Sequence, residues 1–209
     1  MELESQLKKA LEELRKSEEK KFDQTVDLIV NLQKFDIKRN SLNVFVQVPH
    51  KIKNRKVCGF LEIKNKNIET IVESEFKKYA DKKKVKKLAK QFDFFIAQAS
   101  LMPKVATIFG KSLGPFGKMP SPQLGIVTNT DDKTIKELLE KINRSVKLKT
   151  KEPSIKVAIG KQSMKDEQIM ENVVAIYNSL LKNLPRQKEN IKNLEIKFTM
   201  TKPQKIAIR

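Results

Sequence analysis

The side chains best suited to covalent chemistry are isolated from one another along this 209-residue sequence. The one histidine, His50, has no Ser, Cys or Asp partner in a pattern typical of nucleophilic catalysis. The segment Gly110–Ser112 resembles the end of a phosphate-binding loop, but Val105 stands where that loop requires its first glycine. The single cysteine, Cys58, lies in a short apolar run, which favours a buried structural thiol and excludes an internal disulfide or a multi-cysteine metal site. The sequence therefore favours a binding protein without a cofactor or a metal over an enzyme.

Basic side chains, by contrast, are in large excess. Lys and Arg number 44 against 25 Asp and Glu, which gives a formal net charge of +19. Such a surplus causes self-repulsion in the folded protein, so it indicates a polyanionic partner: RNA, DNA or an anionic membrane surface. The membrane is the weaker alternative because Trp is absent, residues 1–16 lack a signal-peptide core, and no apolar run approaches the roughly 20 residues that span a bilayer. We expect a cytoplasmic, reducing location.

The lysines follow two patterns. Lys147, Lys149 and Lys151 alternate with other residues in a predicted strand, so they share one face of a sheet at a spacing of about 6–7 Å. That spacing is close to the distance between successive phosphates of a nucleic-acid strand, so we predict an RNA contact there. The most basic stretch, 81–90, carries its apolar residues on one helical face, which favours a solvated helix surface.

Hydrophobic periodicity predicts the elements that position these residues. Apolar residues at helical spacing predict helices over 3–14, 67–91, 133–143 and 166–184. Alternation predicts half-buried strands over 26–32, 42–48, 146–150, 155–159 and 194–200. Continuous apolar runs predict buried parallel strands at 57–60 and 92–97. The proline- and glycine-rich segment 101–122 is predicted to follow a fixed but irregular path.

This order of elements predicts an α+β fold with two domains. The outer segments, 1–54 and 147–209, are expected to form one split antiparallel α/β sandwich domain from both chain ends. The central segment, 55–146, is expected to be an inserted three-layer α/β domain of Rossmann-like type.

Several short segments, taken together, resemble one family across essentially the whole chain. They are Lys21–Asp23 with Thr25–Asp27, Val48–His50, and the stretches 93–97, 100–103, 113–120, 159–161 and 199–200. In this order they are similar to the signature segments of large-ribosomal-subunit protein one, and the central ones resemble its archaeal branch. At Thr201 this chain departs from many members, which have a glycine there.

The resemblance implies a protein that binds the ribosomal RNA (rRNA) of the mobile stalk beside the tRNA exit site. Such a protein is a monomer within the large ribosomal subunit, contacts exit-site tRNA and helps its release. Family members also repress translation by binding their own mRNA. Carried over by position, the expected RNA-binding residues are Lys21, Phe22, Thr25, Asp27, Lys147, Lys149, Lys151, Gly160, Lys161, Thr199, Met200 and Thr201.

Two other functions remain as alternatives at this point. The first is an enzyme that uses a nucleotide on the central α/β domain, which the missing phosphate-loop glycine and the missing acid–base pair disfavour. The second is a DNA-binding protein. Deoxy substitution in the nucleic acid distinguishes it from an RNA-binding protein, because only RNA offers a 2′-hydroxyl.

Overall fold

The computed structural model describes residues 2–16, 20–37, 39–40, 42–79, 81–150 and 152–206. It is a mixed α/β structure. The helices are α1 (Glu2–Arg15), α2 (Lys82–Gln91), α3 (Met102–Phe116), α4 (Asp132–Asn143) and α5 (Asp166–Asn183). The strands are β1 (Thr25–Leu32), β2 (Asn43–Gln47), β3 (Val57–Phe60), β4 (Glu69–Ile71), β5 (Phe94–Gln98), β6 (Ile126–Val127), β7 (Ser145–Lys149), β8 (Ser154–Lys161), β9 (Ile191–Phe198) and β10 (Gln204–Ile206). The chain divides into two compact units, Met1–Lys53 with Arg144–Arg209 and Asn54–Asn143.

The first unit contains two antiparallel sheets. The larger has the strand order β10-β9-β1-β8, and the smaller pairs β2 with β7. Alternate residues of β1 are buried, as period-two patterning requires when one face of a sheet is covered. Leu28 and Val30 belong to the same buried core as Leu11 of α1 and Ile176 of α5. The opposite face of β1, which begins with Thr25, is partly exposed and is free to carry polar side chains.

The second unit is built on a parallel sheet with the order β4-β3-β5-β6. All four residues of β3 are buried, which accounts for its continuous apolar run. Its core is aromatic: the ring of Phe60 lies 4.7 Å from that of Phe109 and 5.7 Å from that of Phe95. Cys58 is fully buried, and burial raises the pKa of its thiol to about 12.

The predicted irregular path over 101–122 is wrong for most of its length, because α3 occupies Met102–Phe116. Pro103 lies in the first helical turn, where a backbone N–H has no intrahelical acceptor and proline is tolerated. Gly117 ends the helix with φ 65°, a left-handed conformation that favours glycine. Its N–H donates to the carbonyl of Gly114 (2.8 Å). Pro103 and Gly117 therefore mark the two ends of a helix, while Gly110, Gly114 and Pro115 lie inside it.

The predicted helix over 67–91 is correct only in its last part. Strand β4 occupies Glu69–Ile71, and a 3-10 helix follows at Glu73–Tyr79. Asp81 caps the start of α2: its side chain accepts a hydrogen bond from the backbone N–H of Lys83 (2.9 Å). The short strands β6 and β10 were not predicted, since two or three residues are too few to establish an alternation. Among the described residues, no helix is both long and apolar enough to cross a membrane.

Candidate nucleic-acid interface

Strand pairing brings together RNA-binding candidates that are far apart in the sequence. Thr25 begins β1 and pairs with Lys161 at the end of β8. On the other side of β1, Val26 pairs with Phe198, the last residue of β9, so Thr199 and Met200 follow beside Thr25. We refer to Phe22, Thr25, Lys161, Thr199 and Met200 as the strand-end cluster. Three distant segments of chain thus meet at one end of the larger antiparallel sheet.

Hydrogen bonds fix the centre of the strand-end cluster. The backbone N–H of Thr25 donates to Oγ1 of Thr199 (3.1 Å), and the backbone N–H of Thr199 donates to the carbonyl of Thr25 (3.1 Å). The ammonium group of Lys161 donates to Oγ1 of Thr25 (3.1 Å) and to the carbonyl of Asp23 (3.4 Å). Since an ammonium group has three donors, one N–H of Lys161 remains for a phosphate or another acceptor.

Two residues that were not among the expected RNA-binding residues, Gln24 and Asp23, hold the loops of the cluster. Gln24 is fully buried, its side-chain oxygen accepts from the backbone N–H of Met200 (3.0 Å), and its amide donates to the side chain of Gln162 (3.2 Å). The carboxylate of Asp23 accepts from the backbone N–H and the hydroxyl of Ser163 (3.0 and 3.1 Å). No local pattern marks Gln24 in the sequence, because the partners of its buried amide lie 138 and 176 positions away.

The exposed side chains of the cluster are apolar. Phe22 is 52% exposed and Met200 is 64% exposed, whereas most large apolar side chains of this unit lie in the core. Lys21, next to Phe22, is also exposed. An aromatic ring and a thioether beside lysines suit a nucleic acid, because bases stack on aromatic rings while cations contact phosphates.

Asp27 lies two residues after Thr25, on the same face of β1. It pairs with Lys197 of β9, a residue that the sequence reasoning missed. Burial raises the pKa of the Asp27 carboxyl above its ordinary value, and the positive charges of Lys197 and Lys161 lower it by a smaller amount. The Asp27 carboxyl therefore binds a proton more readily than an ordinary surface aspartate does.

Gly160 and Thr201 support the cluster from within the protein. Gly160 is buried, and a Cβ atom there would lie 3.1 Å from Sδ of Met164 and 3.3 Å from Cγ1 of Ile169. The hydroxyl of Thr201 accepts from the backbone N–H of Phe198 (2.9 Å), so this side chain turns back onto the strand that precedes it. Both residues position their neighbours, Lys161 and Met200.

The structure places Lys147 and Lys149 on a different sheet from the strand-end cluster. They belong to β7, which pairs only with β2 in the smaller sheet of the described residues. As alternation predicts, the lysines are more exposed than their neighbours Val146 and Leu148. The ammonium group of Lys147 lies 5.2 Å from the centre of the Phe45 ring, and burial lowers the pKa of Lys147. Lys151 lies outside the described residues.

The comparison with known families then decides the kind of protein. Residues 14–202 match the model of the ribosomal protein L1p/L10e family. The chain belongs to the ribosomal protein L1p/L10e family. It is similar to the large ribosomal subunit protein uL1 of three archaea. Identity is 37% for Thermofilum pendens (98% of this chain, 92% of the relative), 35% for Pyrobaculum calidifontis (97% and 93%) and 33% for Nanoarchaeum equitans (93% and 94%).

Membership of the L1p/L10e family confirms several predictions from the sequence. The resemblance to the archaeal branch is confirmed, and so is the location in the large subunit of the cytoplasmic ribosome. The protein is not an enzyme, because its relatives are structural proteins of the ribosome. Family membership also implies that it binds rRNA. In the described residues, no group of three or more His, Cys, Asp or Glu side chains is placed to hold a metal ion.

Proposed function

We propose that this protein binds the rRNA of the mobile stalk beside the tRNA exit site, and that it does so mainly through the first unit. The observation that carries the proposal is the strand-end cluster, in which segments around Thr25, Lys161 and Thr199 meet at one end of a sheet. The cluster combines features that RNA recognition uses: threonine hydroxyl groups, a lysine and two exposed apolar side chains.

The proposed contacts divide into two kinds. Lys21, Lys161, Lys147 and Lys149, together with Lys151, supply positive charge for phosphates, which sets affinity but carries little sequence information. Phe22 and Met200 supply surfaces against which bases or riboses pack. Thr25, Asp27, Thr199 and Thr201 fix the edge along which a folded RNA lies, and Gly160 leaves room for the side chains of Met164 and Ile169 next to Lys161.

We further propose that the two units have different tasks. The first unit, a split antiparallel sandwich domain over 1–54 and 147–209, holds the rRNA. The second, a Rossmann-like domain over 55–146, is built on a separate parallel sheet. It contacts the exit-site tRNA, and through this contact the protein helps tRNA release. The separate cores of the two units support this division. The same rRNA-binding surface also suits a mimic of the stalk in the protein's own mRNA, through which it represses its own translation.

The experiment that tests the proposal is a binding titration with a labelled fragment of the stalk rRNA. We expect tight binding whose log K falls with log[KCl] by roughly 0.7–0.9 per neutralised phosphate. A deoxy version of the fragment and an unrelated RNA duplex of equal length should bind more weakly, because only charge contacts remain. Equal affinity for all three nucleic acids at every salt concentration contradicts specific rRNA recognition. Competition by the unlabelled leader of the protein's own mRNA tests repression separately.

A further inference from the structure

One surface of the first unit is acidic although the whole chain carries a net charge of +19. A groove of about 530 Å³ lies along α5 and the beginning of α1. Its carboxylates come from Glu4 of α1 and from Glu167 and Glu171 of α5. Other hollows of this protein have more basic walls. One of about 510 Å³ in the second unit is lined by Lys77, Lys82, Lys104 and Lys111 with a single carboxylate, Glu73. The acidic groove therefore departs from the composition of the chain.

The sequence of α5 produces a second apolar stripe beside the one that packs into the core. The face of α5 that packs into the core is buried and consists of residues 169, 172, 173, 176, 177 and 180. Met170, Val174 and Ala175 lie at helical spacing next to that set, are only partly buried, and line the groove. From Glu167 to Asn178, which both line the groove, this face of α5 extends for about three helical turns, or about 16 Å at 1.5 Å per residue. That length suits a short helix or an extended segment of another protein.

We propose that this groove binds a basic segment of a protein partner, with apolar side chains over Met170, Val174 and Ala175 and lysine or arginine side chains against the carboxylates. Charge complementarity carries the choice of partner. RNA is repelled by Glu167 and Glu171, whereas a basic protein segment is attracted by them and gains apolar contact with the floor. The groove is thus a protein-docking surface, distinct in its chemistry from the basic strand-end cluster.

His50 lies at the rim of the groove and orients one of its carboxylates. Its Nε2 is 2.7 Å from Oε2 of Glu171. The backbone of His50 is held by Asn172, which is fully buried and accepts from the His50 N–H (3.0 Å). The carboxylate of Glu171 nevertheless remains 60% exposed, so it is still available to a basic side chain of the partner.

The test uses the full chain and a fluorescein-labelled amphipathic peptide of lysine and leucine. We expect the double variant Glu167→Gln/Glu171→Gln to bind the peptide about fivefold more weakly, the loss expected for two exposed ion pairs. The matched control, Glu137→Gln/Glu140→Gln, makes the same change of charge on α4 and should bind like the parent. A peptide with glutamate in place of lysine should not bind. Affinity for the stalk rRNA fragment should stay within about twofold in both variants.

A steric variant distinguishes the groove from a diffuse acidic surface. Ala175→Lys places a long cation in the groove and should abolish peptide binding, whereas Ala106→Lys on the exposed side of α3 should not. The proposal is overturned if the double variant and its control bind the peptide equally, or if Ala175→Lys binds like the parent. It is also overturned if light scattering shows that the parent is a dimer and that Glu167→Gln/Glu171→Gln is a monomer, since a second copy then occupies the groove.

Discussion

Replacement of Phe22 by alanine should weaken rRNA binding without changing the salt dependence. A phenylalanine side chain has on the order of 200 Å² to bury, and Phe22 is 52% exposed in the free protein, so roughly 100 Å² remains for the RNA to cover. At about 25 cal/mol per Å², this area corresponds to about 2.5 kcal/mol. Alanine substitution at stacking platforms for single-stranded nucleic acids costs a similar amount, about 1–3 kcal/mol per base.

The assay is a titration of labelled stalk rRNA fragment at several KCl concentrations. We expect the Kd of Phe22→Ala to rise by about 10- to 70-fold, which corresponds to roughly 1.4–2.5 kcal/mol. The slope of log K against log[KCl] should match that of the parent, because Phe22 neutralises no phosphate. Stability to urea should change little, because the ring is half exposed already.

Ile63→Ala is the matched control. Ile63 is an exposed apolar residue of the second unit (74%) and lies outside the strand-end cluster. This variant should bind the rRNA fragment like the parent. If Phe22→Ala also binds like the parent, the ring does not face RNA and the assignment of the cluster is refuted.

Four further variants or treatments test other parts of the account. Lys149→Ala should reduce the magnitude of the salt slope by roughly 0.7–0.9 in the same titration; an unchanged slope means that β7 contacts no phosphate. Thr199→Val should lower the urea stability by about 1 kcal/mol, because the N–H of Thr25 loses its side-chain acceptor, and should also weaken rRNA binding. Asp27→Asn should be more stable than the parent at pH 7. The raised pKa of Asp27 means that ionisation disfavours the folded state, so in urea titrations the advantage should vanish as the pH falls below the ordinary value of 3.8. Cys58, with a pKa of about 12, should not react with a thiol reagent at pH 8 until the protein is unfolded.

The elements with a long, regular pattern could be predicted from the sequence. Helix α1 and strand β1 occupy the segments where periodicity indicates them, and β3 occupies its predicted continuous apolar run. Helix α3 could not be predicted by the same reasoning, because proline and glycine are typical of loops. Only the structure shows that Pro103 and Gly117 stand at the two ends of a helix. The signal for that helix was its apolar spacing at Val105 and Phe109, which the density of proline and glycine concealed.

The candidate site was accessible from the sequence only in part. The resemblance to the family indicates that Thr25, Lys161 and Thr199 bind RNA. Only the register of the strands shows that they lie side by side. The roles of Gln24 and Asp23 depend on hydrogen bonds across 138 and 140 positions of sequence, which no local pattern contains. The acidic groove depends on the packing of α1 beside α5 and could not be predicted for the same reason.

The most direct test of rRNA binding at the strand-end cluster is hydroxyl-radical footprinting of the protein, read by mass spectrometry. Phe22 and Met200 are exposed and carry reactive side chains, so both should be oxidised readily in the free protein. Bound stalk rRNA should protect both, while Phe116 of the second unit (43% exposed) and Met170 in the acidic groove stay reactive. Protection of Phe116 or Met170 with continued oxidation of Phe22 and Met200 would contradict the account, because the RNA would then lie on another surface.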